Sequence, residues 1–354
     1  MTALGGTLTE EEARVREAKE KLGNRLLILA HHYQRDEIAE VADFRGDSLE
    51  LARRAAQAAA QYIVFCGVHF MAETAAILAR PGQRVLVPRE DAGCFLAHSV
   101  DRAQLLDAWD RLSAVMDVER ELLPVAYVNT TAEVKAFVGA HGGACCTSSS
   151  AKAVLSWAIK RSPRVFFIPD QYLGRNTAHL LGIPEEEIAL WDPHHPPEDL
   201  TPFKRKRLIL WRGACNVHVR FLPEDVERVR KQHPGVRVIV HPECREEVVK
   251  LADEAGSTSY IVRKVTESPP GTVWAVGTEQ RLVGRLAKEN PDKTVMSLAD
   301  VPPYCSDMSL IRLSDLARVL SGLLKGEEPG RVEVPGEIAN PAREALERML
   351  EAVG

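Results

Sequence analysis

Short apolar runs alternate with helical patterns along almost the whole chain, and this alternation restricts the fold more than any other feature. The runs fall at residues 26–30, 62–66, 85–87, 125–128, 165–168, 208–211, 236–240, 260–262 and 273–276. Strands separated by helices do not close as hairpins, so the pattern calls for βαβ units and parallel sheets. Their continuous apolarity suits strands covered on both faces. The expected class is therefore α/β. A helix is expected at each end of the chain. Thr9 and Glu12 form a capping box ahead of Ala13, Val15, Ala18 and Leu22. Asn340 and Pro341 suit the start of a helix carrying Ala345, Leu346, Met349, Leu350 and Val353 as one stripe.

The runs are organised as a repeat. The first strand leads into His31-His32-Tyr33; Gly46-Asp47-Ser48 follows, then a strand ending at Gly67, then Cys94. The second unit reads Asn129-Thr130, Cys146-Thr147-Ser148, Pro169-Asp170 and Cys215. The third reads His241-Pro242-Glu243, Gly256-Ser257-Thr258, Gly277-Thr278-Glu279 and Cys305. The units cover residues 1–95, 96–215 and 216–305, and residues 306–354 add C-terminal helices that pack on the core. Ligands of open parallel sheets bind beyond the carboxyl ends of the strands. Three units aiming those ends at one axis bring three polar clusters and three cysteines into a central cavity.

At 354 residues the chain exceeds the roughly 250–300 residues a single core supports, which agrees with several units. A 45% hydrophobic, 27% charged composition is that of a globular protein. The net charge of −5 gives no electrostatic case for nucleic acid or an anionic membrane, and the single basic run Lys204-Arg205-Lys206-Arg207 is a solvated face. No secretory signal is visible and no segment reaches the roughly 18 apolar residues of a membrane span, so a cytoplasmic location is expected.

In a reducing compartment the seven cysteines are not a disulfide framework, and none forms a Cys-x-x-Cys pair. Cys94, Cys215 and Cys305 stand apart from the others because each lies in a loop beside Gly or Pro. Cys66 sits inside an apolar strand, Cys145 and Cys146 are vicinal and structural, and Cys244 opens a helix. Three single thiolates suit a 4Fe–4S cluster with one iron left open as a Lewis acid, although isolated cysteines also serve as small core hydrophobes.

Taken in order, Ala30-His31-His32-Tyr33-Gln34, Gly46-Asp47-Ser48, Ala92-Gly93-Cys94, Tyr127-Val128-Asn129-Thr130, Cys146-Thr147-Ser148, Pro169-Asp170, Cys215-Asn216-Val217-His218, His241-Pro242-Glu243-Cys244, Gly256-Ser257-Thr258, Gly277-Thr278-Glu279 and Cys305-Ser306-Asp307-Met308 resemble the quinolinate synthase family. The resemblance implies three similar α/β/α parallel-sheet domains around a pseudo-threefold axis with a central active site. It implies a 4Fe–4S cluster on Cys94, Cys215 and Cys305. It further implies condensation of iminoaspartate with dihydroxyacetone phosphate to quinolinate, with release of phosphate and two waters, in de novo NAD synthesis. An aspartate oxidase or dehydrogenase normally supplies the iminoaspartate and is the implied transient partner. The sequence departs from the family pattern at Phe95-Leu96-Ala97-His98 and at Ser309-Leu310-Ile311-Arg312, next to two of the ligands.

That chemistry needs acid–base groups, an anion cradle and an electrophile. Tyr33, His31 and Glu243 are the catalytic candidates, with Tyr33 relaying protons and Glu243 the general base. His31, Ser48, Tyr127, Val128, Asn129, Ser148, His241, Pro242, Glu243 and Thr258 are the candidate substrate contacts. Each also has a plainer use: Ser48, Ser148 and Thr258 suit helix capping, His241-Pro242-Glu243 suits a helix start, and His31 and Tyr33 suit a packed strand end. Two other functions fit parts of the pattern. One is an α/β binding or regulatory protein with structural or zinc-bound cysteines; the other is a different open-iron hydro-lyase.

Overall fold

The computed structural model describes residues 9–353. Thr9 caps the first helix, Glu10–Leu22, by the expected reciprocal pair: its hydroxyl accepts from Glu12 N at 3.2 Å and the Glu12 carboxylate accepts from Thr9 N at 2.7 Å. Three separate sheets follow. The first contains β1 (Leu26–His31), β2 (Phe44–Gly46), β3 (Tyr62–Cys66) and β4 (Arg84–Leu86). The second contains β5 (Leu122–Tyr127), β6 (Ala144–Cys146), β7 (Arg164–Ile168), β8 (Ile188–Trp191) and β9 (Leu208–Trp211). The third contains β10 (Arg237–Val240), β11 (Glu254–Ala255), β12 (Val273–Gly277) and β13 (Thr294–Ser297). All pairings among these strands are parallel; a short β14 (Arg331–Val332) adds to the outside of β4 as the one antiparallel edge among the described residues.

The three sheets share a strand order. They run β2-β1-β3-β4, β6-β5-β7-β9-β8 and β11-β10-β12-β13, so the first strand of each set lies between the second and third. The chain thus reverses its direction across each sheet just beyond the first strand, which opens a crevice at the carboxyl ends where ligands bind. The polar clusters after β1, β5 and β10 all occupy that position. The strands themselves are buried on both faces, as their composition demanded; Leu29, Val125, Ile239 and their neighbours are fully covered.

Two local expectations fail. Residues 260–262 are helical, within Thr258–Glu267, rather than a strand. Ser257 caps that helix by accepting from Tyr260 N at 3.3 Å, and Ile261 and Val265, one turn apart, face the core. The C-terminal helix starts at Gly336, not after Asn340, and carries Pro341 inside it. The Pro335 carbonyl opens it by accepting from Ile338 N and Ala339 N at 2.9 and 2.8 Å, so the local Asn-Pro signal is overridden. Packing decides the outcome: this helix lies on helix Ala132–Ala140 so closely that a Cβ at Gly139 would sit 1.7 Å from the Pro341 oxygen. Its stripe of Ala345, Leu346 and Met349 is buried as expected and Leu350 partly so; the side chain of Val353 lies outside the described set. Among the described residues no helix is long and apolar enough to cross a membrane.

Candidate active site

The carboxyl ends of all three sheets face one cleft, whose space counted with the solvent at its mouth is about 670 Å³. The first unit contributes His31, Tyr33, Ser48 and Cys94 to its wall, the second Tyr127, Asn129, Ser148 and Cys215, and the third His241, Glu243, Thr258 and Cys305. Val128 and Pro242 do not line it. The Val128 amide donates to Cys146 O at 2.8 Å and the Pro242 carbonyl accepts from Asn176 Nδ2 at 2.8 Å, so both hold the turns that carry their neighbours.

The first and third units build the same turn. Nδ1 of His31 accepts from Tyr33 N at 3.2 Å, and Nδ1 of His241 accepts from Glu243 N at 3.3 Å. An imidazole that accepts at Nδ1 carries its proton on Nε2, so both rings are donors. Burial pushes both imidazoles down, His31 well below its usual value and His241 to about 3, and both are neutral at pH 7. The residue two positions on is Tyr33 in one turn and Glu243 in the other.

These two side chains are joined. The Tyr33 hydroxyl lies 2.8 Å from Thr278 Oγ1 and 3.0 Å from Thr258 Oγ1. Thr278 Oγ1 lies 3.1 Å from Nε2 of His218, and Nδ1 of His218 lies 2.6 Å from the Glu243 carboxylate, a close contact set off the line of an ideal hydrogen bond. A line of exchangeable groups therefore reaches from the phenol toward the carboxylate, hydrogen-bonded as far as His218 and in close contact beyond it. Burial works to raise the Glu243 carboxyl, but the imidazoles of His241 and His218 outweigh it and hold the group below the usual carboxylate range. Burial raises the Tyr33 phenol well above 10, so it stays protonated. His218 and Thr278 were not among the candidates drawn from the sequence. Both stand inside the motifs quoted there, one three residues after Cys215 and the other at the end of β12.

Among the described residues no Lys or Arg lines the cleft. Hydroxyls do instead: Ser48 and Thr258 open helices Ser48–Gln57 and Thr258–Glu267, and Ser148 precedes helix Ala151–Ile159. Hydroxyls at helix starts suit phosphate or carboxylate. Oδ1 of Asn129 is buried in this wall without a protein partner and is free to receive a ligand donor.

Cys94, Cys215 and Cys305 are partly exposed to the cleft, whereas Cys66, Cys145, Cys146 and Cys244 are buried away from solvent. Each cysteine loop is pinned. Asp307 Oδ2 accepts from Phe95 N at 3.2 Å, tying the Cys94 loop to the Cys305 loop, and Glu279 Oε1 accepts from Cys305 N at 3.2 Å. The Cys215 loop passes so near β7 that a Cβ at Gly213 would lie 2.4 Å from the Pro169 oxygen. Burial pushes the Cys94 and Cys305 thiols up to about 12, so ionising them requires a bound cation, the usual linkage of thiolate ligation. Cys215, His218 and Glu243 also offer ligand atoms within 4.8 Å of one another. The residues present fit a metal group. Of the unusual stretch after Cys94, Phe95 is 61% exposed and only Leu96 reaches the wall.

The family model described as quinolinate synthetase A protein matches residues 13–351. Among curated relatives, the quinolinate synthase of Herpetosiphon aurantiacus is 47% identical over 99% of this chain and 94% of its own. That of Geobacillus kaustophilus is 49% identical over 97% and 93%, and that of Listeria monocytogenes 48% over 98% and 94%. A match of this extent, on a cleft built from the ordered motifs, means that the chain belongs to the quinolinate synthetase A family.

Proposed function

We propose that the protein is a quinolinate synthase of de novo NAD biosynthesis, condensing iminoaspartate with dihydroxyacetone phosphate to quinolinate and releasing phosphate and two waters. The observation that carries this reading is a single cleft lined by one loop cysteine, one strand-end polar turn and one hydroxyl from each of three units. Cys94, Cys215 and Cys305 would hold a 4Fe–4S cluster. With three protein thiolates, that group supplies one open Lewis-acidic iron.

The chain's own groups divide the remaining work. Nε2–H of His31 and of His241 donate to substrate carboxylates, and their neutrality leaves the anionic ligands without a competing proton transfer. Ser48, Ser148 and Thr258 receive the phosphate or a carboxylate. Glu243, ionised, is positioned to take a proton, and Tyr33, un-ionised, to give one. The path through Thr278 and His218 returns the proton between them, which a sequence of condensation, imine formation and dehydration needs more than once. Tyr127 and Asn129 orient the ring edge or carboxylate.

Anaerobic reconstitution with iron and sulfide, followed by a quinolinate-formation assay, tests the proposal. Four irons and four sulfides per chain with turnover are expected; dehydration of a hydroxy acid without condensation overturns it. The Cys215, His218 and Glu243 arrangement favours one competing reading, a single divalent ion. Cys94→Ala and Cys305→Ala would leave such an ion in place but abolish a cluster.

A further inference from the structure

The backbone that carries Tyr33 and the backbone that carries Glu243 are each gripped from a neighbouring sheet, and in the same way. Arg285 donates from Nη1 to the His32 carbonyl at 2.9 Å and from Nη2 to the Gln34 carbonyl at 2.7 Å. Asn176 donates from Nδ2 to the Pro242 carbonyl at 2.8 Å and to the Cys244 carbonyl at 2.9 Å. Each donor therefore spans the residue before and the residue after one proposed acid–base group. The amides of the same stretch are held within the turn. Tyr33 N and Glu243 N donate to a histidine Nδ1, and Gln34 N and Cys244 N donate to the carbonyl of that histidine, at 3.0 Å in both turns.

The two donors occupy equivalent positions. Asp170 caps helix Gln171–Leu180 and Glu279 caps helix Gln280–Glu289, and Asn176 and Arg285 each lie six residues beyond the cap. Both are buried, at 5% and 6% exposure, and neither lines the cleft. Their helices follow β7 and β12, whereas the turns they hold follow β10 and β1. The remaining step of the ring is made by Glu73, on helix His69–Leu78 after β3, which accepts from Ala132 N at 3.0 Å in the segment after β5. In each sheet the helix after the third strand thus reaches the polar turn of the next, and the ring closes.

A buried carbonyl needs a donor, and any donor would serve. Here one side chain holds both carbonyls that flank the acid–base residue. An amide group with two N–H bonds, or a guanidinium fork, can do this. We propose that Asn176 and Arg285 are positioning residues, Asn176 aiming Glu243 and Arg285 aiming Tyr33, so that the proton acceptor and the proton donor are in place only while the sheets are docked. The inference rests on the acid–base reading above.

The test uses Asn176→Ala and Arg285→Met, together with Arg285→Lys, which keeps a cation for Asp36, now 3.0 Å from the guanidinium, but has no fork. Steady-state quinolinate formation is measured for each alone and combined with Glu243→Gln or Tyr33→Phe. Each single variant should lower kcat about tenfold with KM within about twofold of wild type, the scale expected when a reacting group is slightly misplaced. In the doubles, Asn176→Ala should cost less than about twofold beyond Glu243→Gln, and Arg285→Met less than about twofold beyond Tyr33→Phe, because a residue that acts through another loses its effect once that other is gone. Full losses in both doubles overturn the proposal and make the two residues struts of the interface. Hydrogen exchange on the substrate-free protein gives a readout without turnover. Residues 241–245 should exchange faster in Asn176→Ala and residues 31–35 faster in the Arg285 variants, each without the other. Unchanged exchange in the gripped turn, or equal acceleration throughout, also overturns it. If Arg285→Met does not fold, Arg285→Lys takes its place in every comparison. A loaded wild type that forms no quinolinate refutes the functional reading, and the exchange pattern then decides the grip on the turns.

Discussion

The turn after β1 and the turn after β10 are the same piece of backbone with different chemistry. In both, a histidine ring folds back to accept the amide two residues on, and in both an arginine, Arg35 or Arg245, precedes a six-residue helix. Behind both, an aspartate one strand-turn later accepts from the first strand, Asp43 from Ile28 N and Asp253 from Val238 N, each at 2.7 Å. The difference lies at one position, where Tyr33 stands in the first unit and Glu243 in the third. The same scaffolding thus carries a phenol and a carboxylate into one cleft, the proposed proton donor and acceptor, and Thr278 with His218 stands between them.

The strongest way to break this comparison is through the cysteines that each unit contributes. Cys94→Ala, Cys215→Ala and Cys305→Ala should each eliminate bound iron and sulfide, while Cys66→Ala, altering a residue buried in β3, should retain both; the check is metal and sulfide analysis of anaerobic protein. Retention in Cys305→Ala with loss in Cys66→Ala would remove the third unit from the metal site. Next in size are the two matched side chains. Glu243→Gln should lower turnover about 10³-fold and Tyr33→Phe about 10²-fold, both with the cluster spectrum intact, as expected when a general base or acid is deleted. Near-normal turnover in either variant would reduce that turn to a structural role. Thr278→Val, which interrupts the path but leaves the Tyr33 phenol and the Glu243 carboxylate in place, should fall between wild type and the Tyr33 variant in a steady-state assay.

A smaller effect separates the turns by pH. His32 is held at about 4, mainly by burial with Glu50 opposing, His241 at about 3, and His31 is likewise depressed. Because these folded-state values lie below the ordinary 6.5, the unfolded chain takes up protons that the folded chain refuses. Stability is therefore fully present above about pH 6.5 and falls as the pH drops toward 4 and below. His32 alone accounts for about 3 kcal/mol of that loss. The first unit has two such rings and the third has one, with Pro242 in place of the second. Urea denaturation of the apo-protein between pH 4 and 7 should show a flatter dependence in His32→Asn; an unchanged slope would mean that His32 does not titrate differently in the two states.

Much of this architecture could be read from residues in line. Strands of four to six buried residues announce themselves by continuous apolarity, and the polar clusters that follow them mark the crevice. The second strand of each unit could not be found this way, because Phe44–Gly46, Ala144–Cys146 and Glu254–Ala255 are too short to carry a period. Residues 260–262 misled because three β-formers in a row say nothing about the cap before them. Asn340-Pro341 misled because a local start signal is worth less than packing against Gly139. The path through Thr278 and His218 was hidden for a different reason: it joins residues that are 60 positions apart and meet only once two sheets converge.

The antiparallel pair between Arg331–Val332 and β4 has a consequence for how the molecule is made. Arg331 meets Leu86 across about 245 positions of chain, and the Val87 amide donates to Gly330 O at 2.8 Å. During synthesis, the rim of β4 accordingly stays bare until residues 330–332, about 245 positions further on, have been made. A bare strand rim invites pairing with other chains. The nascent protein therefore has a long interval in which self-association competes with the arrival of that strand.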